Sequence, residues 1–261
     1  MHSMTREERW ILDEKYQGDI RGTKSEAFQT DCERLQKGEP LAYIIGYIPF
    51  LNTTIYLDSK PLIPRPETEF WVEKVIQEIK LVLHTLGGPT PKLHILDLCA
   101  GSGCVGVAVL KAIPNAFITF AEIVITHRTT IIKNCEFNGI SKDRYTVTTG
   151  DLFNAVSKRN GTFDYILSNP PYIDEEAETV EKSVRDNEPS IALFGGTDGF
   201  EIIKRIIQSA RPYIKPNGVL YIEHEPSQTE LLRKTATLQN FSSTIYTDQY
   251  GIERYSALCI V

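Results

Sequence analysis

The chain of 261 residues is longer than one minimal domain and shorter than two large ones, so it has length enough to bury its own core in one or two domains. Hydrophobic residues make 41% and charged residues 24%, a globular balance that excludes wholesale disorder and a fibrous repeat. The 28 Lys and Arg against 34 Asp and Glu leave a net charge of −6, which argues against a partner gripped mainly through its phosphates.

Residues 5–16 and 24–37 read as two short helices. Thr5 with Glu8 three residues later has capping-box spacing, and Gly38 and Pro40 stop the second helix. This first unit, residues 1–40, is too small to hold much core and needs a surface to cover. Apolar residues across 41–57, broken by Asn52-Thr53-Thr54, predict a β-hairpin, placed as a linker unit at 41–60. Pro61, Pro64 and Pro66 exclude a regular helix or central strand at the start of the third unit, 61–261. A helix is expected from about Glu67 to Leu83, then a linker marked by Gly87, Gly88, Pro89 and Pro91.

From residue 93 short apolar strands alternate with helices. Strands fit at 93–98, 117–122, 144–149, 163–168, 217–223, 242–247 and 254–260, and helices at 103–113, 126–137, 198–212 and 226–238. This alternation predicts an open α/β sheet covered on both faces. No helix separates the last two strands, and Tyr250-Gly251 offers a turn, so the final strand is expected to run antiparallel at the sheet edge. Asp198 reads as a helix N-cap.

The five cysteines, Cys32, Cys99, Cys104, Cys135 and Cys259, form no CxxC pair, and His84, His94, His127 and His224 have no metal-ligand spacing, so no metal is expected. The odd cysteine count without a signal peptide predicts a reducing, cytoplasmic setting. No apolar run approaches 18 residues, so no membrane partner is expected.

Two clusters carry chemistry. The strand ending at Asp97 runs into Cys99-Ala100-Gly101-Ser102-Gly103 and a helix. Such a turn brings ligand close to backbone and presents free N–H groups, though a tight structural turn has the same look. Cys99 stands where the dinucleotide fingerprint has its first glycine. Glu122, closing the second strand, is placed to accept from ribose hydroxyls, and Asp151 with Leu152 follows the third strand near an adenine position. In the second cluster, the fourth strand ends in Asn169-Pro170-Pro171-Tyr172. The Asn169 carboxamide oxygen and the Pro170 carbonyl are two acceptors for one planar NH₂, and Tyr172 offers a face for stacking.

Asn169-Pro170-Pro171-Tyr172 resembles the motif of amino-directed S-adenosylmethionine-dependent methyltransferases. Leu62-Ile63-Pro64-Arg65-Pro66-Glu67-Thr68-Glu69 is narrower. Together with 38–46, Phe50, 97–103, 150–153, 169–173 and Glu188-Pro189-Ser190, it resembles the protein-(glutamine-N5) methyltransferases, the PrmC or HemK family. Members methylate the glutamine of the Gly-Gly-Gln motif in peptide chain release factors. The resemblance implies a seven-stranded class I methyltransferase sheet, Rossmann-like, with an antiparallel last strand. It implies S-adenosyl-L-methionine as cofactor, S-adenosyl-L-homocysteine as product, and a release factor as partner without stable nucleic-acid binding. Position by position it implies Asn169, Pro170 and Tyr172 as catalytic. It implies Asp97, Cys99, Gly101, Gly103, Glu122, Asp151, Leu152 and Asn169 around the cofactor, and Arg65, Glu67, Asn169, Pro170, Pro171 and Tyr172 around the substrate.

Three departures accompany the match. The stretch before Pro64 is shorter than the family's helical N-terminal domain. Glu122-Ile123-Val124-Ile125-Thr126 replaces an acid-Ile-Ser run, and Glu225 replaces a glycine. Two other readings remain open at this stage: an adenine-N6 or guanine-N2 methyltransferase, whose target amine is also planar, and a non-catalytic binder of the same cofactor.

Overall fold

The structure is a computed structural model that describes residues 4–19, 25–86, 91–156, 162–176 and 181–261. Of the linker expected from Gly87 to Pro91, residues 87–90 lie outside the described residues.

Three helices open the chain: α1 (Arg6–Tyr16), α2 (Glu26–Gln36) and α3 (Leu41–Ile45). Thr5 caps α1 as expected, its side chain accepting from the Glu8 amide at 3.2 Å while Glu8 accepts from the Thr5 amide at 2.8 Å. Ile11, Leu12 and Phe28 are buried together with Ile44 of α3, so the helices of 1–40 complete a small cluster with the segment that follows them. The hairpin is shorter than predicted. Residues 41–45 form α3 because the Pro40 carbonyl accepts from the Tyr43 and Ile44 amides, and Gly46 closes the turn at φ 94°. The hairpin proper is β1 (Tyr47–Phe50) with β2 (Thr53–Tyr56), and it stands apart from the main sheet.

Next come α4 (Pro66–Leu86), β3 (Leu93–Leu98), α5 (Cys104–Ala112), β4 (Ala116–Glu122), α6 (His127–Phe137), β5 (Tyr145–Thr149) and β6 (Phe163–Ser168). Two short helices that the sequence pattern did not reveal follow, α7 (Lys182–Asn187) and α8 (Ser190–Leu193). The chain ends with α9 (Glu201–Ala210), β7 (Ile214–Glu223), α10 (Thr229–Leu238), β8 (Phe241–Thr247) and β9 (Glu253–Ile260). Asp198 caps nothing. It sits at φ 54° in a tight turn, and its carbonyl accepts from Gln228 Nε2.

The seven strands order as β5-β4-β3-β6-β7-β9-β8, and β9 is antiparallel to both neighbours. The last strand is therefore antiparallel as expected but not at the edge. It inserts between β7 and β8, where Ser256 and Leu258 are fully buried. Asp248 secures the connecting turn by accepting from the Tyr250 and Ile252 amides, and Arg254 bridges Asp248 and Glu225.

Alternation along β3 divides the core. Leu93 and Ile95 join the layer containing Phe50, Trp71 and Val107, while Leu96 and Leu98 join Ile203, Ile207 and Leu232. The hairpin belongs to the first layer through Phe50 and Ile55. Its free edge is met by a side chain of α6 and by that of the residue capping its C-terminus. Asn134 accepts from the Tyr56 amide at 2.8 Å and donates to its carbonyl, and Asn138 does the same for Thr54. Spaced four apart on one helix face, these carboxamides replace a neighbouring strand.

Candidate active site

The strand order reverses between β3 and β6, so the crevice beyond their carboxyl ends is where an open α/β sheet receives ligand. A cavity of about 110 Å³ lies there, lined by residues that include Cys99, Gly101, Glu122, Asp151, Leu152 and Asn169. Gly101, at φ 54°, lines it with no protein atom within 4 Å of where a Cβ would stand, so the loop leaves space that protein does not fill. Glu122 is buried at 6% exposure, and its two oxygens accept from the Gly101 amide at 2.7 Å and the Val124 amide at 2.8 Å. The carboxylate thus anchors the loop and retains lone pairs for a further donor. Ile123, Val124 and Ile202 supply apolar wall. A polar edge on an apolar bed suits a nucleoside.

Not every residue expected at the cofactor lines this cavity. Asp97 lies beneath the loop at 1% exposure, accepting from the Gly106 amide at 2.8 Å, and burial pushes its carboxyl up to about 8. Gly103, at φ 79°, starts α5 against Ile131 and Phe120. Cys99 takes a left-handed φ of 62°, the conformation for which the fingerprint uses glycine. Asp151 pairs with Arg205 at the cavity's outer side.

A second, smaller space of about 60 Å³ adjoins, lined in part by Arg65, Asn169, Pro170, Tyr172 and Leu193. Leu62, Asn169 and Ala192 line both spaces, so Asn169 stands at their junction, while Pro171 lines only the larger one. Arg65 pairs with the buried Glu188 at 2.6 Å, and Glu188 also accepts from the Ile63 amide. Glu67 lies on the first turn of α4 and lines neither space. Gly199 backs the tetrapeptide at φ 64°. A Cβ there would fall 2.0 Å from the Tyr172 carbonyl oxygen.

Residues 70–187 match the Methyltransferase small domain family. The chain is 33% identical over 246 residues to the release factor glutamine methyltransferase of Thermodesulfovibrio yellowstonii, covering 92% of this chain and 83% of that one. It is 37% identical over 201 residues to the release factor glutamine methyltransferase of Rhodopirellula baltica, covering 77% of this chain and 66% of the relative. The chain belongs to the release factor glutamine methyltransferase family. Solved structures agree on the fold. A methyltransferase from Pyrococcus furiosus aligns at TM-score 0.55 and 15% identity, with 89% of this chain and 100% of that chain covered. The N-terminal domain of human METTL16 in complex with SAH aligns at 0.57 and 14%, with 100% and 99% covered.

In this member of the release factor glutamine methyltransferase family, three polar groups near the site are tied to distant parts of the chain. Glu223 is fully buried and accepts from Thr68 Oγ1 at 2.8 Å, Trp71 Nε1 at 2.6 Å and the Tyr172 hydroxyl at 2.9 Å. Burial pushes its carboxyl up, against the three donors that favour the charged form. Thr68 also accepts from Asn169 Nδ2 at 3.1 Å. His127 lines the larger cavity with Nδ1 against Ser59 at 2.8 Å, and burial lowers its pKa, favouring the neutral ring. No local pattern marks these residues, because their partners lie far along the chain. His224 is also fully buried, bonded to Ser256 at 2.7 Å. Among the described residues no group of three or more His, Cys, Asp or Glu is placed to hold a metal ion, and no helix is long and apolar enough to cross a membrane.

Proposed function

We propose that this protein transfers a methyl group from S-adenosylmethionine to the side-chain amide nitrogen of the glutamine in the Gly-Gly-Gln motif of peptide chain release factors. The observation that carries this reading is the position of Asn169, which lines both the larger cavity and the smaller space that adjoins it. The names of the relatives support the release factor as substrate.

Gly101, Glu122, Asp151 and Leu152 would hold the cofactor, with Cys99 shaping the turn and Asp97 and Gly103 fixing the loop from below. When bound, S-adenosylmethionine supplies an electrophilic methyl group on a sulfonium. Asn169 Oδ1 and the Pro170 carbonyl accept the two N–H groups of the glutamine carboxamide. A glutamine nitrogen is a weak nucleophile, since its lone pair is delocalised into its carbonyl. Two fixed acceptors favour the positive charge that develops on that nitrogen, which is electrostatic preorganisation. Tyr172 walls the smaller space, its hydroxyl held by Glu223, and Pro171 walls the larger one. Among the described residues lining the smaller space, Arg65 alone carries a full charge, and Glu188 occupies it. The N–H protons therefore rest on neutral acceptors until one leaves to water. The helices of 1–40 contribute to gripping the release factor, the hairpin unit links them to the catalytic unit, and the setting is the cytoplasm.

The test is labelled methyl transfer to intact release factor, to a factor with the target glutamine replaced by alanine, and to DNA and ribosomal RNA. Label on the first alone is expected, and label on nucleic acid with none on the factor overturns the reading. Asn169→Ala should lower kcat about a hundredfold to a thousandfold, by analogy with loss of one oxyanion-hole donor. Calorimetric affinity for S-adenosylhomocysteine should stay nearly intact.

A further inference from the structure

We infer that Thr68, held by Glu223, sets which way the Asn169 carboxamide faces and is therefore a positioning residue for the glutamine amide. The inference rests on the substrate reading above and deepens it.

Thr68 carries a single hydroxyl proton, and at 2.8 Å from Glu223 Oε2 that proton is committed to the carboxylate. Trp71 Nε1–H reaches the same oxygen and the Tyr172 hydroxyl reaches the other, so Glu223 is surrounded by donors and accepts from each. Toward Asn169, Thr68 Oγ1 can then only accept. The group of Asn169 that meets it at 3.1 Å must be the NH₂, which turns Oδ1 away from Thr68. A carboxamide is nearly symmetric in shape, so sterics alone hardly distinguish its two faces. Without this contact the NH₂ can occupy the place of the oxygen, where it meets the N–H groups of glutamine donor against donor. Thr68 is buried at 1% exposure, so no water competes for its hydroxyl. The same carboxylate fixes Tyr172, and thus one buried acid orients two of the residues that face the substrate.

The test compares Thr68→Val, which keeps the shape and loses the hydroxyl, with Thr68→Ser, which keeps the hydroxyl. Thr68→Val should lower kcat about tenfold to a hundredfold, the range for misplacement of a reacting group. Thr68→Ser should retain kcat within about threefold, and both should bind S-adenosylhomocysteine like the wild type. In an Asn169→Ala background Thr68→Val should cost nothing further, because the group it orients is gone. A second readout needs no acceptor: the Asn169 side-chain NH₂ resonances in ¹H–¹⁵N spectra should move in Thr68→Val and hold in Thr68→Ser. Unmoved resonances, or losses that add in the double variant, overturn the positioning role. Absence of label on wild-type release factor instead strikes the substrate reading, and the spectra then still decide the role of Thr68.

Discussion

Glu122 and Asp97 show how two acids of one loop acquire different duties from their surroundings. Glu122 sits with both oxygens on backbone amides of the loop and of the segment after β4. Glu122→Ala should therefore remove the loop's anchor along with any contact to a ribose. Charge-assisted hydrogen bonds are worth about 1.5–3 kcal/mol, so affinity for S-adenosylhomocysteine should fall about tenfold to a hundredfold by calorimetry. Asp97 does not line the larger cavity; it packs under the loop with its carboxyl pushed up to about 8 by burial. Its folded pKa lies above the ordinary unfolded value near 3.9, so the folded state holds a proton that the unfolded chain releases. The stability it contributes is fully present below about pH 4 and is lost as pH rises through about 8. Asp97→Asn keeps an acceptor for the Gly106 amide and cannot ionise. Its stability relative to wild type, from urea midpoints, should rise between pH 5 and 8 and level off above; a pH-independent difference would reject the assignment. The sequence pattern assigned both acids to the cofactor and could not separate their surroundings. Which acid faces a cavity and which faces a helix amide is decided by packing from β4 and α5. Glu223 was harder still, since its donors at Thr68 and Trp71 lie more than 150 positions away.

At the scale of elements, what could be read from sequence was whatever has a local cause. The capping box of α1, the alternation of strands and helices after residue 93, and the Asn-Pro-Pro-Tyr segment at the end of β6 are all local patterns. The helix α3 was not legible, because the apolar run after Pro40 has no period that tells helix from strand, and the decisive contacts are the Pro40 carbonyl and the turn at Gly46. The insertion of β9 between β7 and β8 is likewise a matter of pairing, which local pattern does not encode. The mooring of the hairpin yields a prediction with two arms. Asn138 binds only backbone of β2 and of α6, whereas Asn134 also donates to the Ser102 carbonyl in the glycine loop at 2.9 Å. Replacing either by alanine leaves backbone groups of β2 unpaired and should cost about 1–3 kcal/mol in urea unfolding. Only Asn134→Ala should also weaken S-adenosylhomocysteine binding. Equal effects on binding from both variants would show that the hairpin as a whole, and not the Ser102 contact, steadies the loop.

For the whole molecule the question is what the N-terminal helices add. They share a small core with Ile44 of α3, and polar contacts tie them to the rest of the chain. Glu39 bridges Arg34 and Lys60, Asn187 donates to the Gly38 carbonyl, and Lys15 donates to the Ile44 carbonyl while paired with Asp31. None of these contacts involves a residue that lines the larger cavity. Deleting residues 1–38 should therefore leave S-adenosylhomocysteine affinity within about twofold, even though it uncovers Ile44, which is 1% exposed in the intact protein. Pairing the deletion with Ile44→Ser removes the new apolar patch, so that aggregation does not mimic lost activity. Methylation of intact release factor should fall about tenfold or more, since docking area is lost, and the loss should fall on KM more than on kcat. Transfer to a short peptide containing Gly-Gly-Gln reaches only the two adjoining spaces around Asn169 and should be nearly unchanged. If peptide transfer and cofactor affinity fall together with transfer to the intact factor, the helices serve the stability of the catalytic unit and not the grip on its partner.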